Sequence, residues 1–579
     1  MKLAVVLVVA VSILRPSIGL MLIAAIVPLG DVMMPLLHTP PPTRPETLVL
    51  SFIAGWLISR ALAKPSERGT VVPDVAAAMW IFGALLVASV ATTALHLYRA
   101  NPQHLRMVWA ALSESYLWTD DPIGAHAAAN LIEGIALVLA VGDIVRREPL
   151  YRSRVVLSLV GSAVAVSVAS GLLAIGIAPA STISRVAAVG LPRYSAAMMD
   201  VNAAGSYYVL LLGVAVGAVA MVRRGRVANL IAFTAIVCGL ALTGSRAAVL
   251  AAALVTCAAG AVWIVRSASG VTRVVVAVVL AAVLVAAVGL AANRAGQSSL
   301  EMRGGFTRAS VRMIEGRPIF GVGAGRYYRL SRLVLPPSLA WFYGQENAHD
   351  YFLQITAELG IPGVLVFAWL IAAILIQPLG YSSSSEHRWS AAGFAAGAVA
   401  YVLTAVSGHP FLVPEAAVPF WIVLGVLASE GAAARSVTFT RRLWPIALGA
   451  VILLTVPFRP GEPRLRLPPG EDGFGPWQTD ERGMEFREAH DYASLFVEQN
   501  VRAIEIPMKL GTGGQAGSAG SLVEVVVPGA FQREVGVGPD WSTLFVDLPG
   551  AEPLVPRQRI NFSVSSKIDV GQVRIIAAQ

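Results

Sequence analysis

The stretch AAGSYYVLLLGVAVGAVAMV (residues 203–222), followed at once by RRGR (223–226), decides the class of the chain. Twenty residues without an acidic or basic side chain match the length a helix needs to cross the roughly 30 Å hydrocarbon layer of a bilayer. The three arginines behind them mark the cytoplasmic end under the positive-inside rule. Working outward, similar apolar runs lie near 16–37, 46–63, 73–96, 124–145, 153–178, 227–244, 247–266, 272–292, 361–377, 389–408, 415–430 and 443–458. With 203–222 these make about thirteen spans. The composition agrees: mean hydropathy is +0.68, with 56% hydrophobic and 14% charged residues, which excludes a soluble or a disordered chain of 579 residues. A further short run at 3–14 ends at Arg15-Pro16. It reads as a retained anchor, since no small-residue cleavage site precedes the next apolar stretch. Cys238 and Cys257 fall inside predicted spans and read as small core residues.

The net charge of +9 follows from topology and implies no nucleic-acid partner. Basic residues collect in short connectors: Arg60, Lys64 and Arg68; Arg146, Arg147, Arg152 and Arg154; Arg223, Arg224 and Arg226; Arg266 and Arg273; Arg435, Arg441 and Arg442. Counted alternately, the spans place all of these on one side, which is then cytoplasmic. The opposite, periplasmic side receives 97–123, 179–202, 293–360, 409–414 and everything after about 459. The chain thus divides into an all-α polytopic membrane domain of about 12–14 helices (1–460) and a C-terminal domain (461–579). In the latter, runs such as SLVEVVVPG, STLFVDLPG and RINFSVSS alternate between Gly/Pro/Ser turns and predict an all-β sandwich, with GTGGQAGSAGS (511–521) as a loop between strands. The localisation that follows is the bacterial inner (cytoplasmic) membrane, multi-pass, with the C-terminal domain periplasmic.

Four stretches carry chemistry. Between Asn293 and His349 the long loop holds eight arginines (Arg294, Arg303, Arg308, Arg312, Arg317, Arg326, Arg329, Arg332) and no lysine. A solvated helical face with ion pairs is the plain explanation. An anion site is the functional one, because arginine is the side chain that grips phosphate bidentately. ALTGSRAAVL (241–250) sets Arg246 at a span boundary, a costly place unless the charge is paired or lines an aqueous site. GVGAGRYYRL (321–330) offers glycine N–H groups that could approach phosphate, with Arg326 next. QENAHDYFLQITAELGIPG (345–363) has an Asn-x-x-acid helix start at Asn347 and Asp350, which puts His349 in a first helical turn, where it tends to be neutral. Asp350, Gln354 and Glu358 share one face and read as structural partners. Arg185 and Arg193 lie on the same side of the membrane.

The order TGSRAA (243–248), GRPIFGVGAGRY (316–327) and ENAHDYFLQITAELGIPG (346–363), with RYSAAMMDVNAAGSYYV (193–209) ahead of them, resembles the O-antigen ligase and O-antigen polymerase superfamily across roughly residues 15–430. The resemblance implies a GT-C-like membrane glycosyltransferase, without metal or cofactor. It would take a glycan from undecaprenyl diphosphate and deliver it, with inversion, to a hydroxyl of another glycan, lipid A core or protein, among membrane lipids. Carried over by position, His349 is the catalytic residue that activates the acceptor, and Arg246, Arg303 and Arg326 bind the pyrophosphate. The family commonly has a tryptophan shortly after the arginine matched by Arg303, where this chain has Phe306 and Thr307. Two other readings compete. One is a metal-dependent transferase using polyprenyl phosphate sugars, with Asp120 and Asp121 as ligand and base. The other is a non-enzymatic polysaccharide exporter or flippase.

Overall fold

A computed structural model describes residues 2–30, 32, 45–63, 73–100, 102–103, 124–177, 186–188, 191–198, 200–221, 226–267, 270–293, 297–377, 385–430, 471–511, 521–528, 530–549 and 555–578. The helical region comprises α1 (Lys2–Leu14), α2 (Pro16–Ile26), α3 (Pro45–Leu62), α4 (Pro73–Ala100), α5 (Ala125–Arg147), α6 (Leu150–Ala174), α7 (Val201–Met221), α8 (Arg226–Thr243), α9 (Arg246–Ser267), α10 (Gly270–Asn293), α11 (Gln297–Gly316), α12 (Tyr327–Val334), α13 (Pro337–Tyr343), α14 (Tyr351–Ile376), α15 (Ser385–Ala405) and α16 (Pro414–Glu430). A short antiparallel hairpin, β1 (Val186–Ala188) and β2 (Leu191–Arg193), precedes α7.

Among the described residues, five helices are long and apolar enough to cross a membrane: Val75–Arg99, Ala125–Arg147, Leu150–Ala174, Val201–Val219 and Tyr351–Ile376. The protein is therefore multi-pass. Other expected spans are present as shorter apolar helices, among them Val227–Thr243, Arg246–Ala261 and Pro414–Ser429. Of the span expected at 16–37, α2 is followed by a 3-10 turn, Val27–Leu29, with Pro28 inside it and Gly30 at φ 27° behind it, and residues 31 and 33–37 lie outside the described residues. The span expected at 443–458, Asp120 and Asp121, Arg185 and most of the 511–521 loop lie outside the described residues.

Close packing of the bundle is clearest where α7 meets α15. Gly213 and Gly217 face Gly393 and Gly397, and a Cβ added to Gly213 would lie 2.4 Å from the Gly397 Cα. Small residues four apart on both helices bring the backbones together, the usual basis of helix association in lipid. Gly397→Val is expected to force the pair apart at a cost of roughly 1–3 kcal/mol. A thermal unfolding midpoint in detergent measures it, and an unchanged midpoint would argue against this contact.

The span expected at 361–377 is preceded by a further helical segment, because α14 starts at Tyr351 and continues across a kink at Gly360 (φ 75°, ψ 177°) and Pro362. Pro362 has no N–H, so the Glu358 carbonyl lacks its helical donor. The Gly323 N–H takes that place at 2.9 Å, and Val322 N–H bonds the Ala357 carbonyl at 2.8 Å. The Ile361 N–H, diverted from the helix, donates to the Pro318 carbonyl at 2.8 Å. Both Gly321 (φ 64°) and Gly360 are required for this approach: a Cβ on Gly360 would sit 2.0 Å from the Ile319 carbonyl oxygen. The segment 318–325 is thus a strap across the kink. The N–H groups of 321–325 are occupied, with Gly321 N donating to the Arg317 carbonyl, Ala324 N to Ser89 Oγ and Gly325 N to Glu358 Oε2. This corrects the expectation of a phosphate cradle there.

The C-terminal region holds two antiparallel sheets, one ordered β5 (Tyr492–Glu498), β10 (Arg557–Val564), β7 (Ser521–Val527), β8 (Phe531–Val537). The other is ordered β12 (Arg574–Ala578), β6 (Val501–Leu510), β11 (Ile568–Gly571), β4 (Glu485–Ala489), β3 (Gln478–Thr479), with β9 (Ser542–Asp547) paired to β6. Alternating side chains from both sheets meet in one core, including Val523, Val525, Ile560 and Phe562 from the first and Ile504, Ile506, Val546 and Ile568 from the second. Buried Arg559 ties this region to the helices: its Nη1 donates to the carbonyls of Arg332 (2.7 Å) and Leu335 (2.8 Å) at the end of α12, while Nη2 and Nε reach Ser494 and Asn561. A cation on helix C-terminal carbonyls complements the helix dipole.

Candidate functional site

Four connections of the helical region converge at one end of the bundle: the segment 193–200, the turn 243–246, the run-in to α14 at 346–350, and residues 406–413 between α15 and α16. Tyr194 N bonds the Leu242 carbonyl, and Tyr351 N bonds the Gly408 carbonyl at 3.1 Å, fastening these loops in pairs. Gly205 lets the start of α7 approach the start of α9, since a Cβ there would lie 2.5 Å from Ser245 Cβ.

His349 sits at the centre. Asp350 is the N-cap of α14, its Oδ1 accepting from Phe352 N (2.9 Å) and Leu353 N (3.0 Å). Asn347 is therefore not the cap, and His349 stands outside the helix at φ 52°, a left-handed conformation uncommon for a side chain other than glycine. A line of hydrogen bonds holds it there. Glu358 Oε1 accepts from Gln354 Nε2, which also donates to Asn347 Oδ1, and Gln354 Oε1 accepts from Ala348 N at 3.4 Å. The acidic and amide side chains of this stretch are thus structural, as the shared face implied. The His349 ring packs on Phe306 (4.6 Å between centroids) and edge-on against His409 (5.2 Å).

His409 and Asp200 are site residues to which sequence reading gave no role. His409 Nε2 lies 3.3 Å from Asp200 Oδ2, and Asp200 Oδ1 accepts from Asn202 N at 2.7 Å at the start of α7. Asp200 belongs to the Asp-x-Asn stretch already noted. His409 follows Gly408 in a six-residue gap, and its sequence surroundings carry no signal.

Burial pushes the His349 imidazole down to about 4; His409 and Arg303 act in the same direction and Asp200 opposes them. The residue is therefore neutral at physiological pH, for a reason other than the helix terminus. Arg193, Arg246 and Arg303 share the neighbourhood. Arg193 is tied down, with Nε donating to the Thr243 carbonyl (2.8 Å) and Nη2 to Asn202 Oδ1 (2.7 Å). Its guanidinium is pulled down first by burial and then by Arg246 and Arg303, with Asp200 opposing. Arg303, solvent-exposed on α11, is pulled down by partial desolvation and by Arg246. Among the described residues neither Arg246 nor Arg303 has a hydrogen-bond or ion-pair partner. Two cations that repel each other beside a neutral imidazole make a site suited to a multiply charged anion.

The other loop arginines are placed elsewhere. Arg326, expected on the pyrophosphate, is 2% exposed and donates from Nη1 to the Val322 carbonyl, within the strap. Arg308 and Arg312 pair with Glu471.

A family model described as O-antigen ligase matches residues 230–368. That stretch contains Arg246, Arg303, Arg326 and His349, so the resemblance to the O-antigen ligase-like superfamily holds there. It supports membrane glycan transfer of the ligase or polymerase type, acting on lipid-linked glycans. No curated protein matches the chain.

Gln354→Leu is expected to loosen His349 without touching the bundle core. Misplacing a reacting group by about 1 Å costs on the order of a hundredfold in rate. Glycan transfer by this variant should fall by one to two orders of magnitude, and a rate like that of the native protein would remove the hydrogen-bond line from the site.

Proposed function

We propose that the protein transfers a glycan from undecaprenyl diphosphate to an acceptor hydroxyl at the periplasmic face of the inner membrane, with inversion and without a metal ion. The single observation that carries this reading is the juxtaposition of a neutral, partly open His349 with two arginines, Arg246 and Arg303, that are unpaired among the described residues. His349 accepts the proton of the acceptor hydroxyl as its oxygen attacks the anomeric carbon. The bond from that carbon to the diphosphate oxygen breaks on the opposite face, and the electron pair leaves with the diphosphate. Arg246 and Arg303 neutralise the charge that grows there, the role a metal plays in other transferases. A well-placed base contributes about 10²–10⁴ in rate.

His409 and Asp200 serve as positioning residues. Asp200 is the carboxylate that favours the imidazolium forming on His349, and His409 holds it in place. Arg193 shapes the turn that presents Arg246. Arg326 is given no role in this proposal, because it is buried and its Nη1 donates to the Val322 carbonyl within the strap. The 471–578 strand region, on the same reading, is a periplasmic domain, and 1–460 the membrane transferase proper.

The test uses purified native protein and His349→Ala in detergent, with undecaprenyl-diphosphate-linked glycan, a candidate acceptor and EDTA. Native transfer in EDTA, lost in the variant by at least a hundredfold while donor still binds, is the expected result. Arg246→Met and Arg303→Met should each weaken donor binding and lower kcat. Because His349 titrates near 4 when folded, kcat/KM should stay level from about pH 8 to about pH 5 and fall below that. Asp200→Asn removes the group that favours imidazolium, so it should move that fall to still lower pH. The unfolded chain takes up this proton near the ordinary value of 6.5, so the stability contributed by His349 declines as pH drops from there toward 4. An acid limb at 6.5 in native protein would contradict the assignment.

A further inference from the structure

Four aromatic side chains outside the site described above are held by ring contacts, with two of them exposed and two half-buried. They lie at the C-terminal end of α13 and the start of β5. Phe342 is 68% exposed and Tyr343 40% exposed, while Leu339 and Ala340 on the other side of the same short helix are buried. Phe342 packs on Tyr492 of β5 with centroids 5.5 Å apart, and Trp341 packs on the same ring at 6.1 Å. Tyr343 packs edge-on against Phe306 at 5.6 Å, and Phe306 is the ring that lies 4.6 Å from His349. Two sets of ring contacts therefore start from neighbouring residues of α13, one from Trp341 and Phe342 to the strand region and one from Tyr343 through Phe306 to the imidazole.

We infer that Trp341, Phe342, Tyr343 and Tyr492 form a track on which pyranose rings of the glycan stack, leading away from His349. This rests on the transferase reading and adds where the sugars beyond the reacting one lie. A pyranose presents apolar C–H faces and a rim of hydroxyls. Flat aromatic faces fit the former at little cost in side-chain entropy, and polar groups at the edge serve the latter. Such groups are at hand: Gln345 and Glu346 follow Tyr343 in the chain, and Glu471 sits between Arg308 and Arg312.

Exposed aromatics of this size mark an interaction surface. A membrane-interface belt is the competing occupant, but belt residues spread around a bundle at one level. These instead converge on one histidine at one end and climb onto a β-sheet at the other. Their rigidity also points to a ligand. Pro337 lies against Gly473, where an added Cβ would be 3.1 Å from its ring, and Arg559 fixes the preceding turn at Arg332 and Leu335.

The experiment uses full-length protein in lipid nanodiscs, comparing native with Phe342→Ala, Tyr492→Ala and Phe342→Trp. Substrates are undecaprenyl diphosphate bearing one sugar or an extended chain, each with a one-sugar or an extended acceptor. Each alanine variant should raise KM about three- to tenfold for the extended substrate only, from the loss of an aromatic contact, with kcat on the one-sugar pair unchanged and Phe342→Trp restoring KM. A rise confined to the extended donor assigns the track to the donor chain, and one confined to the extended acceptor assigns it to the acceptor. Equal KM for all pairs, or an equal rise for one-sugar and extended substrates, overturns the proposal. In the first case a change in how the variants seat in nanodiscs of different thickness would identify the rings as interfacial anchors. Should the native protein transfer nothing, the lipid-free extended glycan titrated against the tryptophan fluorescence of native protein separates the two readings. Binding that Tyr492→Ala weakens keeps the track and removes the transferase, whereas the absence of binding removes both.

Discussion

A proline that cannot donate a hydrogen bond sets the arrangement of this molecule's candidate site. Pro362 and Gly360 break the helical ladder of α14, and the carbonyls so released are taken by Val322 and Gly323. Unsatisfied carbonyls at that depth would cost about 1–3 kcal/mol each, so the strap 318–325 and the span 351–376 hold one another. The same strap returns Gly325 N to the Glu358 carboxylate, and from there a line of side chains runs through Gln354 to Asn347 and Ala348. His349, the next residue, inherits its place from a kink some three turns away.

The electrostatics of the site follow from where carboxylates are and are not. Glu471, Asp472 and Glu358 are engaged with loop arginines, the strand region or the strap. Asp200 is the carboxylate that acts on His349, and it is shared with His409 and the N-terminus of α7. The result is local positive charge around a histidine that stays uncharged. On the proposed reading, a dianionic leaving group would find cations ready and a base not yet protonated.

Much of this was legible in sequence, and the limits have physical causes. The apolar runs located the helices because lipid leaves no other means of satisfying the backbone. Their lengths were harder to read, since α2 passes into a 3-10 turn at Val27–Leu29 and α14 joins, across Gly360 and Pro362, two helical segments that hydropathy separates. The strands of the C-terminal region announced themselves by alternation, as in β7, where buried and open residues take turns. Arg246 stands out because a charge at a span boundary is costly, whereas His349 and Arg303 are marked by the resemblance of their stretches. For Arg326 the limit is direction: sequence gives an arginine its charge but not where it points, and this one is buried and donates to the Val322 carbonyl. The glycines of 321–325 suggested phosphate because exposed N–H groups attract anions, yet the partner waiting for them was a carbonyl created by a proline nearly forty residues later. His409 escaped notice because nothing local distinguishes it; only the packing of α15 and α16 brings it to Asp200.

The contact between Arg559 and the carbonyls of Arg332 and Leu335 bears on the order in which the molecule matures during synthesis. Those carbonyls end the helix that leads to the aromatic turn and on to His349, and their donor is encoded more than two hundred residues later, on the central part of a sheet that needs β5 and β7 on either side. The membrane helices and the strap can be complete while the far wall of the site still waits for that strand. A ribosome that stalls or a protease that cuts ahead of residue 559 would leave a chain that is inserted and helical, with the loop beside its histidine unbraced. Assembly of the site is thereby timed by the end of translation rather than by insertion into the bilayer.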